Sequence, residues 1–325
     1  MFAIAFFGWT KYLVISELSK IAQHTEVPIE EKIEEIVPDP FPVGVNRIDK
    51  IINEDPLVEQ YIEENLSINI TMSRQQRFFD RLLSQMTKLN WYQNLASSVS
   101  RILVIYPGKR REEVVSDFGD ILNWDKEEKA LFSSYITENE PLLVDGKFFP
   151  GRYVVESEAT PENVADLLHK RFNEEILSRY DDKVEKLVPI AQALAIASLL
   201  EREAYDFTDM RYISGIIWNR LFINMPLQLD ASLQYARGSR PSEALWWPKV
   251  VPADKYIDSP YNTYKNAGLP PAPISNPSVE AVVAALNPRV TDCMFYFHDS
   301  KGKFYCTKTY TEHVTKLKEI YGRGS

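Results

Sequence analysis

The sequence contains few of the residues that build metal centres or disulfide scaffolds. Its 325 residues include only 2 cysteines and 4 histidines. Cys293 and Cys306 lack the spacing of a zinc site, and no pair of histidines forms the HExxH motif of a zinc hydrolase. A disulfide scaffold is therefore excluded, a zinc hydrolase has little support, and we expect neither a metal ion nor another cofactor.

The chain also lacks an excess of basic residues. Its 37 Lys and Arg are outnumbered by 46 Asp and Glu, which gives a formal net charge of -9. Because a nucleic-acid partner needs positive charge to neutralise its phosphates, we expect no nucleic acid as the main partner. The content of 45% hydrophobic and 26% charged residues is that of a globular protein with a sizeable core.

No apolar run near the N-terminus is long enough to cross a bilayer by itself. Residues 1–9 are apolar, but Thr10 and Lys11 follow at once, whereas a membrane-spanning helix needs about 20 apolar residues. Trp9, Lys11 and Tyr12 belong to the residue types found at membrane interfaces. The residues leave two interpretations open: the end of a membrane anchor whose beginning is missing, or an amphipathic helix packed on the folded protein.

The chain divides into successive segments by composition and hydrophobic pattern. The apolar segment 1–24 precedes a Pro- and Glu-rich stretch, residues 25–45, that is typical of a linker. Residues 46–100 have helical periodicity and are predicted to be a helical insertion. Residues 101–145 combine a β-branched run with amphipathic helices and predict a small α/β module. Residues 146–325 are predicted to form the main domain, so the expected fold class is α+β.

The stretch CMFYFHDSKGKFYC predicts a β-hairpin near the C-terminus. Cys293 and Cys306 stand at its two ends and would face each other across the strands if the turn centred on Asp299 and Ser300. Cysteines without a partner are commonly buried, and the sequence favours two unpaired buried thiols over a disulfide.

An almost wholly apolar helix is predicted for residues 187–200, LVPIAQALAIASLL. At roughly 21 Å it is too short for a bilayer, so we interpret it as the central helix of the main domain. Glu201, Arg202 and Glu203 follow directly. A carboxyl group at the end of such a helix loses solvation, which is expected to raise the pKa of Glu201 above its usual range and suits a general acid.

The helix alone does not assign that role to Glu201. An ordinary salt bridge with Arg202 or Arg211 is the favoured alternative when only the helix is considered. Glu203, the rival acid, lies about 200° around the helix from Glu201, so the two cannot face one groove. A standard glycosidase needs two carboxylates flanking the bond, so the second would come from elsewhere, for instance Asp230, unless one carboxyl suffices.

Polar residues elsewhere in the main domain are candidates for contacts with a sugar. Asn219 and Arg220 interrupt an apolar helix, and Gln228 and Asp230 lie on one side of an extended segment. The loop of residues 259–277 mixes Asn and Tyr side chains with prolines that stiffen it. Asn amides and aromatic rings bind sugars by hydrogen bonding and stacking, although a purely structural loop remains the alternative.

An ordered series of motifs resembles a known family. The motifs, from about Phe148 to Leu317, are FFPGRY, AIASLLEREA, GIIWNRL, MPLQLDASLQYA, SPYNTYKNAGLPPAPISNP, AALNP and TKTYTEH. They resemble the YceG-like, or MltG-like, endolytic murein transglycosylases over about half of the chain. More weakly, residues 101–136 resemble that family's LysM-like domain, and the apolar N-terminus is similar to its single membrane anchor. The resemblance implies an α+β fold in which a small LysM-like α/β module precedes a larger catalytic domain with a central apolar helix.

The chain departs from the family pattern at a few positions. Ala272 and Ser278 stand where Gly is usual, and Phe304 and Cys306 stand where His and Phe are commoner. No catalytic role is therefore given to the hairpin, and residues 28–100 resemble nothing in the family.

The resemblance implies cleavage inside nascent peptidoglycan strands, between N-acetylmuramic acid and N-acetylglucosamine. Glu201, the first Glu of EREA, corresponds to the family's catalytic glutamate. It first protonates the glycosidic oxygen and then acts as a base on the muramic C6 hydroxyl, which closes a 1,6-anhydro ring. Because no water attacks, this lyase mechanism needs no second carboxylate. The candidate substrate-binding residues are Asn219, Arg220, Gln228, Asp230, Tyr235, Asn262 and Tyr264.

The implied partners are peptidoglycan glycan strands and cell-wall synthases, with the membrane contacted through the N-terminal segment. The implied location is the cell (inner) membrane, with a single span and the catalytic domain outside the cytoplasm. Two other functions stay open: a muramidase-type hydrolase that uses Asp230 as its second carboxylate, and a non-catalytic glycan-binding or scaffold protein of the cell-wall synthesis machinery.

Overall fold

The computed structural model describes residues 39–54, 56–66, 99–137 and 145–322. Within these ranges the protein has the predicted mixed α+β fold, in which helices dominate and the strands form only two-stranded antiparallel sheets. None of the helices in the described ranges combines the length and the apolar character needed to cross a membrane. The predicted N-terminal anchor lies outside the described residues.

The elements are named in chain order. The strands are β1 (Val45–Asn46), β2 (Ile51–Ile52), β3 (Ser100–Ile105), β4 (Gly151–Glu156), β5 (Phe295–His298) and β6 (Phe304–Thr307). The helices are α1 (Pro56–Leu66), α2 (Arg111–Leu122), α3 (Lys126–Thr137), α4 (Pro161–Glu175), α5 (Asp182–Leu187), α6 (Ile190–Glu203), α7 (Phe207–Phe222), α8 (Asp230–Gly238), α9 (Val279–Leu286) and α10 (Tyr310–Tyr321).

A small module forms around the paired strands β3 and β4. Their antiparallel register runs from Ser100 opposite Glu156 to Ile105 opposite Gly151. Helices α2, α3 and α4 pack beside this pair and complete the module. The side chains at the centre of its separate core are Leu103, Phe118, Phe132, Phe148 and Leu168.

The core of the small module extends further along the chain than residues 101–145, the range predicted for the module. Strand β4 and helix α4 follow that range, yet they supply the partner of β3 and part of the core. Strand β3 needs a partner because a lone strand would leave its backbone groups unpaired. Local periodicity cannot reveal that partner, because two helices separate β4 from β3 in the chain. The sequence Thr160-Pro161-Glu162 predicts the start of α4 with Thr160 as its N-cap. The structure agrees, because the hydroxyl of Thr160 accepts a hydrogen bond from the N–H of Asn163 at 3.3 Å.

Helix α6 is the centre of the main domain, as its apolar sequence predicted. Every residue from Ala193 to Leu200 is buried, because helices α7, α8 and α9 surround it. Buried side chains of these neighbouring helices in the same core include Ile213, Ile217, Tyr235, Val283 and Leu286.

Residues 41–45, predicted to belong to the linker, pack against the main domain. Phe41 is 3% exposed, and its N–H donates to the carbonyl of Arg179 at 2.9 Å. Helix α1 adds Val58 and Ile62 to the same core. This part of the N-terminal region is therefore integral to the main domain.

The hairpin β5–β6 forms, but the expectation of two unpaired thiols is wrong. Cys293 and Cys306 form a disulfide, with their Cα atoms 5.8 Å apart. The register places Cys306 opposite Tyr296. The backbone N–H of Met294 still donates to Thr307 at 2.8 Å. The pairing therefore continues on the N-terminal side of β5 and brings Cys293 alongside β6, although the register centres the turn on Lys301 and not on Asp299 and Ser300.

Candidate active site

Glu201 lies in the last turn of α6, where its carboxyl group meets the beginning of α9. The backbone N–H and the hydroxyl of Ser278 both donate to Glu201 Oε2, at 3.1 and 2.8 Å. Ser278 also caps α9, because its Oγ accepts from the N–H of Ala281 at 3.2 Å. The N-terminus of a helix carries partial positive charge, so this position stabilises a carboxylate. Glu201 is only half-buried and so remains accessible to a ligand.

The loop that precedes α9 is attached to α6 at Ser198. The N–H of Ile274 donates to Ser198 Oγ at 3.0 Å, and the hydroxyl of Ser275 donates to the Ser198 carbonyl at 3.1 Å. Ser198 and Glu201 are three residues apart and therefore share a face of α6. The loop thus follows that face toward the carboxyl group of Glu201.

Arg211, one of the two predicted salt-bridge partners of Glu201, is engaged elsewhere. It is 3% exposed and donates to Glu59 Oε1 and to the carbonyl of Asn287, both at 2.8 Å. Arg211 therefore holds α1 and the end of α9 together. The other predicted partner, Arg202, places its guanidinium carbon 3.8 Å from the ring centre of Trp247.

Glu203 connects three elements of the main domain. Its Oε1 accepts from the N–H of Ala231 in the first turn of α8, and its Oε2 accepts from the hydroxyl of Tyr296 in β5, both at 3.0 Å. Burial raises the pKa of Glu203, while these two hydrogen bonds act in the opposite direction. Both carboxyl oxygens thus have structural partners.

Three of the predicted binding residues lie together beside the start of α8. Asp230 and Gln228 are exposed, and the hydroxyl of half-buried Tyr264 donates to Asp230 Oδ1 at 2.7 Å. The N–H of Gln228 donates to the Thr263 carbonyl at 3.1 Å, and its φ of 51° turns the chain sharply at this point. Polar and aromatic groups of these residues are consequently presented at the surface.

Three other predicted binding residues are used to hold backbone segments. Asn219 donates to the carbonyl of Thr291 at 2.7 Å, and Arg220 donates to the carbonyl of Met294 at 2.7 Å. Fully buried Asn262 donates to the carbonyl of Ile257 at 2.8 Å. The geometry thus gives these side chains an anchoring function, and direct contact with substrate stays a prediction for them.

Tyr235, the last predicted binding residue, lies where the small module meets the main domain. It is 8% exposed, and its hydroxyl donates to Asp145 Oδ2 at 2.7 Å. Asp145 also accepts from the N–H of Arg111 at 2.6 Å. Burial and the charge of Glu112 raise the pKa of Asp145 to about 6. The carboxyl group of Asp145 therefore joins the two units.

Sequence reasoning missed Ser278 beside Glu201, and Arg110 and Asp145 where the small module meets the main domain. Ser278 was noted only as a departure from the family pattern, although its position just before an apolar helix is that of an N-cap. Arg110 and Asp145 gave no signal because the contacts that join them to the main domain, with Ser239 and Tyr235, are distant in the chain. Among the described residues, no group of three or more His, Cys, Asp or Glu is arranged to hold a metal ion.

The sequence and the fold both match known proteins. The profile of the YceG-like family matches residues 59–319. The endolytic murein transglycosylase of Bacillus subtilis (strain 168) is 36% identical over 179 residues, which are 55% of this chain and 48% of that protein. The endolytic murein transglycosylase of Streptococcus pneumoniae serotype 2 is 31% identical over 177 residues, which are 54% of this chain and 32% of that protein. The matched region thus covers at most about half of these curated relatives.

A solved structure shares the arrangement of the elements. The crystal structure of a putative yceG-like protein from Listeria monocytogenes superposes with a TM-score of 0.58 at 26% sequence identity. The alignment covers 86% of this chain and 98% of that chain. The similarity therefore extends over both the small module and the main domain.

Proposed function

Because this chain belongs to the YceG-like family, we propose that it is an endolytic lytic transglycosylase of peptidoglycan. It cleaves the bond between N-acetylmuramic acid and N-acetylglucosamine inside a glycan strand and leaves a 1,6-anhydro end. The observation that carries this proposal is the position of the Glu201 carboxyl group, which is only half-buried and accepts two hydrogen bonds from Ser278. The other carboxyl group at the end of α6, that of Glu203, is bonded to Ala231 and Tyr296. The name shared by the curated relatives supports the reaction class.

Glu201 performs both proton transfers in this proposal. Its carboxyl group protonates the glycosidic oxygen as the bond to the anomeric carbon of the muramic residue breaks. The N–H and O–H of Ser278 stabilise the carboxylate that this step leaves. The carboxylate then takes the proton of the C6 hydroxyl, whose oxygen bonds to the anomeric carbon. The acid is thereby restored, and no water enters the product.

The surface group of Gln228, Asp230 and half-buried Tyr264 is proposed to bind the sugar chain. Their amide, carboxylate and phenol groups supply donors and acceptors at the surface, and the Tyr264 ring supplies a face for stacking. Arg220 and Asn262 hold the backbone beside this surface, because Arg220 donates to the carbonyl of Leu227 and Asn262 Oδ1 accepts from the N–H of Tyr264 at 2.9 Å. The small module, which we propose to be LysM-like, would contact the same strand further along.

The proposed location is the outer face of the cell membrane. A disulfide between Cys293 and Cys306 suits an oxidising compartment outside the cytoplasm. The apolar segment 1–24 would provide the anchor. Nascent peptidoglycan strands are the proposed substrate, and the synthases that produce them are the proposed protein partners.

Product analysis tests the function against its alternatives. Peptidoglycan is incubated with the full chain, with Glu201→Gln, and with Glu174→Gln as a matched control on the exposed surface of α4. We expect anhydro-muramic ends from the wild type and the control and none from Glu201→Gln. Ordinary reducing ends would instead identify a muramidase-type hydrolase that uses Asp230. Binding of glycan without any cleavage would identify a scaffold protein.

A further inference from the structure

The small module is docked on the main domain through a buried arginine. Arg110 is 1% exposed, and its guanidinium carbon lies 4.1 Å from the ring centre of Tyr235. It donates to Ser239 Oγ at 2.9 Å and pairs with Glu112 at 3.3 Å. Separation of the two units would take the guanidinium of Arg110 away from these partners, and a buried charge without partners is strongly destabilising. The two units therefore keep a fixed relative position.

The turn just before Arg110 reaches the loop that precedes α9. The N–H of Gly108 donates to the carbonyl of Asn276 at 2.9 Å, and the N–H of Asn276 donates to the carbonyl of Lys109 at 2.8 Å. The buried side chain of Asn276 completes the connection. Its Nδ2 donates to the Lys109 carbonyl at 3.0 Å, and its Oδ1 accepts from the N–H of Phe148 at 2.9 Å. All partners of this side chain belong to the small module or to the segment that leads into β4.

The residues on both sides of Asn276 contact α6. Ser275 donates to the carbonyl of Ser198, and Ser278 donates twice to Glu201. One short loop therefore bonds the small module through Asn276 and the carboxyl group of Glu201 through Ser278. The turn itself is also close to the site, because a Cβ atom on Gly108 would lie 3.5 Å from Cγ of Glu201.

We propose that Asn276 is a positioning residue that uses the docked small module to hold Ser278 against Glu201. The inference rests on the proposed role of Glu201 and extends it: the small module forms part of the active site and does more than bind glycan. Loss of the Asn276 side chain removes its hydrogen bonds to Lys109 and Phe148, while the backbone bonds to Gly108 and Lys109 and the attachment to Ser198 remain. The loop is then held less firmly, Ser278 fixes the carboxyl group less well in one orientation, and the proton transfers slow.

Asn287 provides a matched control at the opposite end of α9. It is 1% exposed, and its Nδ2 donates to the carbonyls of Pro42 and Val283 at 2.7 and 3.0 Å. Asn276→Ala and Asn287→Ala thus each remove a buried amide beside the same helix. We expect Asn276→Ala to lower kcat for anhydro-end formation about tenfold with little change in KM. Asn287→Ala should lower the melting temperature comparably and retain the wild-type kcat.

Asn276→Asp supplies a second test with a pH signature. Its carboxyl group keeps an acceptor for the N–H of Phe148, but only the protonated form can donate to the Lys109 carbonyl. The ratio of its kcat to that of the wild type should therefore fall as the pH rises, while circular dichroism shows a folded protein throughout. A ratio that does not vary with pH, or wild-type kcat in Asn276→Ala, would overturn the inference.

The two proposals can fail separately. If the wild type produces anhydro ends, Glu201→Gln does not, and Asn276→Ala matches the wild type, only the positioning inference fails. Equal loss of kcat in Asn276→Ala and Asn287→Ala would also reject it, because the effect would then be one of general stability. If the wild type produces no anhydro ends, the proposed function is wrong, and the positioning inference, which rests on it, is wrong as well.

Discussion

Ser278 donates two hydrogen bonds to a single oxygen of Glu201, one from its backbone N–H and one from its hydroxyl. This contact joins the C-terminal end of α6 to the N-terminal end of α9. The C-terminus of a helix disfavours a negative charge, whereas the N-terminus and its donors favour one. The carboxylate formed during catalysis is thus stabilised by the donors of Ser278 at the start of α9.

Ser278→Gly tests the contribution of the hydroxyl. Glycine is usual at this position in the family, and it retains the backbone N–H that donates to Glu201. Because glycine is a good N-cap, stability should change by only a few tenths of a kcal/mol. The ionised carboxylate loses one donor, so the alkaline limb of the pH–rate profile should move to higher pH. Profiles that coincide for the wild type and Ser278→Gly would contradict the account.

Asp145→Asn tests the buried carboxyl group between the two units. The pKa of Asp145 is raised from 3.8 to about 6, so the folded protein binds its proton more tightly than the unfolded chain does. The resulting stability is fully present below about pH 4 and is lost as the pH rises through about 6. The free energy of unfolding of the wild type should therefore decrease over this range by up to about 3 kcal/mol relative to Asp145→Asn. Urea titrations at about pH 4.5 and about pH 7.5, below and above the raised pKa of about 6, measure most of this decrease. An unchanged difference between the two proteins would show that Asp145 does not titrate in this range.

Reduction of the disulfide tests the attachment of the hairpin. Cys293 and Cys306 are separated by 13 positions, and closing a loop of about 15 residues contributes about 3 kcal/mol in the chain-entropy description. Reductant should therefore lower the melting temperature of the wild type by several degrees. The double variant Cys293→Ser, Cys306→Ser should melt at the lower temperature with or without reductant. A wild type that is insensitive to reductant would show that the bridge contributes little.

The sequence was informative where the determining signal is local. The apolar run before Glu201 predicted α6, and Thr160 with Pro161 predicted the start of α4. The hairpin was predicted from the stretch CMFYFHDSKGKFYC, with two short apolar segments on either side of a turn. In each case neighbouring residues alone carry the information, through helical periodicity, capping or strand propensity.

Long-range contacts account for what the sequence did not reveal. The partner of β3, the contacts of Arg110 and the bonds of Asn276 all join residues that are far apart in the chain. The disulfide depended on the register of the hairpin, which the position of its turn sets. Asn219 was selected as a polar residue in an apolar helix and Asn262 as an amide in a loop stiffened by prolines, and the structure shows that both amides hold backbone carbonyls. A polar side chain in an apolar context is a sign of an internal hydrogen bond as much as of a ligand contact.

The central claim is that Glu201, and not Glu203, transfers the proton. The two carboxyl groups occupy the same helical turn, so Glu201→Gln and Glu203→Gln form a matched pair. In Glu203→Gln the amide oxygen can still accept from the N–H of Ala231, and the amide nitrogen can donate to the Tyr296 hydroxyl. Both variants should therefore fold and bind glycan strands.

The most direct measurement is the rate at which each variant forms anhydro-muramic ends on peptidoglycan, read by mass spectrometry. The account predicts a loss of at least about a hundredfold for Glu201→Gln and a rate within about threefold of the wild type for Glu203→Gln. Retention of activity by Glu201→Gln together with its loss in Glu203→Gln would contradict the assignment of the acid.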